Sequence, residues 1–244
     1  MRAPTTSELL GVWERGLGQG PPQRALGLLE AAYPETSPET LACLSIGQRD
    51  ARLLGLRERI FGPEMAAIVA CPQCGERLEL TVNVAEIRRD RPADPVSEVS
   101  LSVEGYSLRL RPPNSLDAAD AATQADIELA RRLLLDRCVL EASAEGTPVS
   151  PRDLPGKVVE AAAECIAKAE PDAELEFSVD CPFCGNHWQA AFDIVSFLWK
   201  EVEAWAYRIL REVHTLASVY GWHERDILAL SPARRQFYLE MVGQ

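Results

Sequence analysis

The sequence predicts an α+β protein, mainly helical, with a small antiparallel zinc-ribbon-like sheet split by a helical insertion and followed by a long C-terminal helical region. Three observations predict it. Two Cys-Pro-x-Cys-Gly turns, Cys71–Gly75 and Cys181–Gly185, stand more than a hundred residues apart. Each turn is flanked by segments in which apolar and polar residues alternate, the period of a half-buried strand. Nearly everything else repeats at steps of three and four, the period of an amphipathic helix.

Residues 1–65 read as an N-terminal helical region. Thr6 or Ser7 caps a first helix through Leu9, Leu10, Val12 and Trp13. The glycines and prolines of 16–22 break it. Pro22 opens a second helix on Ala25, Leu26, Leu28, Leu29 and Ala32, and Pro34 to Pro38 forms the next break. Ser45 begins a third helix that turns Leu53, Leu54, Leu56 and Ile60 inward. Its charged residues, Arg49, Arg52, Arg57, Glu58 and Arg59, read as a solvated face.

Residues 66–111, together with 172–193, read as a split zinc-ribbon-like β module. Ala66 to Ala70 enters the first turn, and Leu78, Leu80, Val82 and Val84 leave it with period two. A loop spans 90–94. Val99, Leu101 and Val103, then Glu104-Gly105, then Tyr106, Leu108 and Leu110 read as a hairpin. Around the second turn, Leu175, Phe177 and Val179 lead in, and Trp188, Ala190 and Phe192 lead out. The interval 112–171 reads as a helical insertion. Its first stripe runs through Ile127, Ala130, Leu133, Leu134, Val139 and Leu140, and its second through Val158, Val159, Ala162, Cys165 and Ile166.

Residues 194–244 form the C-terminal helical region. Val195, Leu198, Val202, Trp205, Ile209, Val213, Leu216 and Tyr220 make one stripe about seven turns long, roughly 40 Å at ~1.5 Å per residue. It reads equally as a partner surface or as a deeply buried helix. Gly221 ends it, and Ser231-Pro232 starts a last helix with Phe237, Tyr238 and Met241 inward.

The chain has 244 residues and a formal net charge of −12. Phosphate binding is carried by clustered Lys and Arg, so nucleic acid is not an expected partner. No apolar run approaches the roughly 18 residues needed to span a bilayer, and no secretory signal stands at the start, so a cytoplasmic protein without membrane insertion is expected. In a reducing compartment, close cysteine pairs point to metal rather than disulfides. Cys43, Cys138 and Cys165 stand apart and read as small buried apolar residues.

The expected metal ligands are Cys71, Cys74, Cys181 and Cys184. Two residues between cysteines let both thiolates meet one ion from a tight turn, and two such turns complete a tetrahedral four-sulfur zinc site. Four thiolates leave no open position for catalysis, so the zinc is structural. A redox dithiol is the rival reading, but such turns open a helix whose N-terminus lowers the thiol pKa, and both turns here lie between strands. His187, three residues after Cys184, is an alternative ligand. His214 and His223 read as packing or capping residues, and no motif supplies a catalytic residue.

The run Gly47-Gln48-Arg49-Asp50, with Leu53-Leu54, Leu56-Arg57-Glu58 and Phe61-Gly62-Pro63 leading into the first Cys turn, resembles the bacteriophage T4 baseplate hub assembly chaperone family as it occurs in bacterial contractile injection systems. So does the tail Glu212 to Ala217, Tyr220-Gly221-Trp222-His223-Glu224, Ile227 to Leu230, Arg234-Arg235 and Tyr238-Leu239. The likeness covers roughly residues 45–85 and 175–244, with its weight on the C-terminal pattern. It implies a non-enzymatic protein that helps build, or sits in, a contractile tail, with baseplate, hub or spike proteins as partners. A nucleic-acid-associated zinc ribbon and a thiol oxidoreductase are the alternatives.

Overall fold

A computed structural model describes residues 1–88, 97–170, 173 and 175–242; the expected loop at 90–94 lies outside them. Helices α1 (Thr6–Gly16), α2 (Pro21–Ala32), α3 (Pro38–Ala42) and α4 (Ile46–Phe61) come first. Strands β1 (Glu64–Ala70) and β2 (Arg77–Asn83) flank the first Cys turn, and α5 (Val84–Arg88) follows at once. Next come β3 (Val99–Val103), β4 (Tyr106–Leu110), α6 (Ser115–Ala121), α7 (Ile127–Cys138), β5 (Val139–Ala144), β6 (Thr147–Pro148) and α8 (Gly156–Ala169). Strands β7 (Leu175–Asp180) and β8 (His187–Phe192) flank the second turn. The chain ends in α9 (Ile194–Tyr220), α10 (Glu224–Leu228) and α11 (Pro232–Val242).

The 27-residue α9 is the axis of the largest core. Asp193 caps it by accepting from the N–H groups of Val195 and Ser196, and Gly221, at φ 67°, ends it in the left-handed region. Its buried side chains Ile194, Val195, Leu198, Val202, Ile209, Val213 and Leu216 pack with Leu9, Leu10, Leu28, Leu29, Leu53, Leu54 and Leu56 of α1, α2 and α4. The long stripe is therefore core rather than free surface. Trp199, off that stripe, lies against Gly16: a Cβ at Gly16 would stand 2.2 Å from the indole. Only glycine admits that approach. Arg24 lies over the same ring, 4.5 Å from the centroid, while donating to the Gly16 carbonyl.

The protein is α+β and mainly helical, with small antiparallel sheets, but the pairing differs from the expected single split sheet. Among the described residues, β1 pairs only with β2 and β7 only with β8. The hairpin β3–β4 joins β5 and β6 in a four-stranded sheet of order β3-β4-β5-β6. The interval 112–171, expected as a helical insertion, is thus not purely helical: it contains β5 and β6. Val139 and Leu140 continue the helical spacing of α7, yet they begin β5, because Leu110 pairs with Val139 and Arg109 with Glu141. α8 packs on the β3–β4 side of this sheet, closing a second core of Leu108, Leu110, Val139, Leu154, Val158 and Ala162.

Charged residues account for further differences. Arg49 and Arg57 do not line a solvated face; both are buried, at 7% and 3% exposure. Arg49 pairs with Asp50 at 2.7 Å, and Arg57 reaches Glu201 on α9. Thr5, rather than Thr6 or Ser7, caps α1 in a reciprocal capping box with Glu8. In α11, Tyr238 packs on Tyr220 and Trp222, whereas Phe237 and Met241 are exposed, and Arg235 is buried on Glu212 at 2.6 Å. Among the isolated cysteines only Cys138 is buried; Cys165 is half-buried and Cys43 exposed.

Candidate metal centre

The two Cys turns are built alike. In the first, the Cys71 N–H donates to the Glu76 carbonyl at 2.9 Å, and the Gly75 N–H donates back to the Cys71 carbonyl at 2.9 Å. In the second, the Cys181 N–H donates to Asn186 and the Gly185 N–H to Cys181, again at 2.9 Å. Gly75 and Gly185 both take positive φ, 77° and 73°, as this turn requires. Each hairpin then passes straight into a helix whose first turn is capped by a side chain of the junction, Asn83 for α5 and Asp193 for α9.

This shared geometry brings the four expected ligands together. The Sγ atoms of Cys71, Cys74, Cys181 and Cys184 all lie within 4.8 Å of one another. The first cysteine of each turn faces the second of the other: Cys71 and Cys184 are 3.6 Å apart, and so are Cys74 and Cys181. Cys71 and Cys181 are buried against Leu78 and Val179, while Cys74 and Cys184 face outward. A tetrahedral zinc with Zn–S bonds of ~2.3 Å requires sulfurs about 3.8 Å apart, so the donor set fits such an ion in type, number and spacing.

The electrostatics of the free thiols agree with that fit. Burial pushes the Cys71 thiol up, but the backbone N–H groups of Cys74 and Gln73 donate to its sulfur and hold it at about 6. The Glu76 N–H favours the Cys74 thiolate, yet partial desolvation and the neighbouring thiols outweigh it and push Cys74 up to about 12. Cys184 is raised as well: the Asn186 N–H lowers it, and desolvation with the Cys181 thiol overrides that. Cys71 gives up its proton readily while Cys74 and Cys184 hold theirs, because adjacent thiolates repel. A divalent cation removes that repulsion. The backbone donors are the outer-sphere contacts that orient and stabilise thiolate ligands.

His187 lies outside the cluster. Its Nδ1 is 2.9 Å from Asp180 and its Nε2 3.4 Å from Ser178, both across the β7–β8 ladder. His214 and His223 are exposed, and the latter makes no side-chain cap bond. The sequence reading missed Glu170. This buried carboxylate accepts from the Ser45 hydroxyl and from the Gly47 N–H at 3.3 Å, at the N-terminus of α4. No local pattern signals it, since donor and acceptor are 125 residues apart. No helix among the described residues is long and apolar enough to cross a membrane.

A family model described as T4 bacteriophage base plate protein matches residues 26–199. The matched span begins inside α2, contains both Cys turns and the four-stranded sheet, and ends at Trp199. The C-terminal pattern from Glu212 to Leu239 lies beyond it. No curated protein and no solved structure matches the chain.

Proposed function

Because the chain belongs to the T4 bacteriophage base plate protein family, we propose that it is a non-enzymatic component or assembly chaperone of the baseplate or hub of a phage-tail-like contractile injection system, held in shape by one structural zinc. The observation that carries the reading is the family match itself, which encloses both halves of the four-cysteine cluster. The two hairpins act as the halves of a split zinc ribbon. Cys71, Cys74, Cys181 and Cys184 hold the ion, and with four thiolates around it the metal supplies folding energy rather than a reactive water.

The clasp fixes the chain near residue 71 to the chain near residue 181. It therefore sets the start of α9, which follows β8 after the single residue Asp193. Residues 97–170 have a core of their own and also rest on α2 and α4 through α6, Asn114 and Glu170. The protein works in the cytoplasm, where contractile tails are built, and its partners are other baseplate, hub or spike proteins. The test is co-expression with contractile-tail baseplate and spike proteins from the same genome, followed by affinity isolation. Recovery of a defined complex supports the assignment. A protein that stays unbound with every one of them, while folded and metal-loaded, overturns it.

A further inference from the structure

The four-stranded sheet ends on one side in an edge that is built for another strand. Glu104 and Gly105, both at positive φ (49° and 79°), form a two-residue turn, so Val103 and Tyr106 are its closing hydrogen-bonded pair. Hydrogen-bonded pairs alternate along an antiparallel ladder. Val99, Leu101 and Val103 therefore spend their backbone groups on β4, and the N–H and C=O groups of Ser100 and Ser102 point the other way. Among the described residues nothing pairs with that edge.

Exposed edges are ordinarily blunted by charge, proline, bulges or shortness. The opposite edge, β6, is two residues long and ends in Pro148. β3 carries no charge, no proline and no register shift against β4. The core beneath it is also open on that side. Leu108 and Leu110 of β4 are 3% and 0% exposed, whereas Val99, Leu101 and Val103 are only partly buried under α8.

We propose that this edge is the contact between two copies of the chain, β3 against β3. The strand reads Val99-Ser100-Leu101-Ser102-Val103, the same in both directions. An antiparallel pairing centred on Leu101 sets Ser100 opposite Ser102 of the second copy and Val99 opposite Val103. Both serines of each copy then use their outward N–H and C=O groups, and Leu101 meets Leu101 at a non-hydrogen-bonded position, where side chains approach closest. The contact is self-complementary, as a twofold axis demands, and it joins two four-stranded sheets into one of eight. The same axis brings Glu98 toward Glu104. Glu98 shares Arg109, at 3.7 Å, with Glu141, and Glu104 has Lys157 at 3.8 Å; added salt screens what repulsion is left.

Sedimentation velocity of the full metal-loaded chain over a concentration series tests this, with hydrogen exchange read at the Ser100 and Ser102 amides. The expected result is a reversible dimer, tighter at higher salt, in which those two amides are protected only at dimer concentrations. Ser100→Pro removes an outward N–H at an edge position that tolerates proline. It should weaken the dimer roughly 30-fold, because symmetry deletes the bond twice, and leave the circular dichroism unchanged. A monomer at all concentrations overturns the proposal. So does a dimer with unprotected Ser100 and Ser102 amides, which would use another surface. If the edge is protected only when a baseplate protein is added to a monomeric chain, it belongs to a foreign strand and self-pairing is wrong.

Discussion

Arg57 and Glu201, 144 residues apart in sequence, are joined by two parallel hydrogen bonds of 2.9 and 2.7 Å. The guanidinium is 3% exposed, donates also to the Gly62 carbonyl at 2.6 Å, and lies 5.9 Å from the Phe197 ring. This pair pins the end of α4, just before the first Cys hairpin, to the second turn of α9, just after the second hairpin. It reinforces the closure that the cysteines make.

Replacing Arg57 by Ala should therefore cost about 2–4 kcal/mol, somewhat below the full price of breaking a buried pair because Glu201 retains some solvent contact. Arg57→Lys should recover only part of this, since an ammonium cannot make the bidentate contact. Denaturant unfolding of the three proteins checks both. If Arg57→Ala were as stable as the parent, the pair would not tie the two helices.

Gly16→Ala should destabilise the protein although alanine is the better helix former. The added methyl meets the Trp199 ring, and overpacking of this kind costs about 1–3 kcal/mol against a propensity gain of ~1 kcal/mol. The two positions touch, so Gly16→Ala combined with Trp199→Leu should be less destabilising than the sum of the single changes. A thermal unfolding cycle of the four proteins gives the coupling directly. Strict additivity would contradict the contact.

Low pH should loosen the first helix. Arg2, then the Thr5 N–H, hold the Glu8 carboxyl at about 2, below its ordinary value of 4.5. A carboxyl depressed by folding stabilises the folded state above its unfolded pKa, and that contribution is lost as pH falls from about 4.5 through about 2. The group is largely solvated, so its worth is that of an ordinary cap, about 1 kcal/mol. Glu8→Gln should be less stable than the parent at neutral pH and equal to it near pH 2. A stability difference that stays constant over this range would show that the ionised Glu8 does not hold the cap.

The cysteine cluster was legible because it is written locally: a two-residue spacing, a glycine at positive φ and flanking period-two strands occur twice. The course of α9 was legible for the same reason, its periodicity being long and uninterrupted. What local pattern hid was every choice made at a distance. The hairpin β3–β4 sits next to the first Cys module in sequence but is claimed by β5, whose first residues continue a helical spacing. Arg49 and Arg57 read as surface because an isolated arginine is, and the buried Arg57 takes its countercharge from the distant carboxylate of Glu201. Phe237 was expected inward with Tyr238 and Met241, yet α11 turns Tyr238, Leu239, Val242 and Arg235 toward the core around α9 and leaves Phe237 and Met241 exposed.

The proposed metal site joins two turns that stand 113 residues apart from Cys71 to Cys184. Elemental analysis of the purified chain, alongside the double variants Cys71→Ser/Cys74→Ser and Cys181→Ser/Cys184→Ser, tests it most directly. One zinc per parent chain and none in either double variant is expected, with the variants losing cooperative unfolding as well, because a structural ion contributes folding energy. A double variant that keeps a full equivalent of zinc would contradict it, as would a parent chain that holds two.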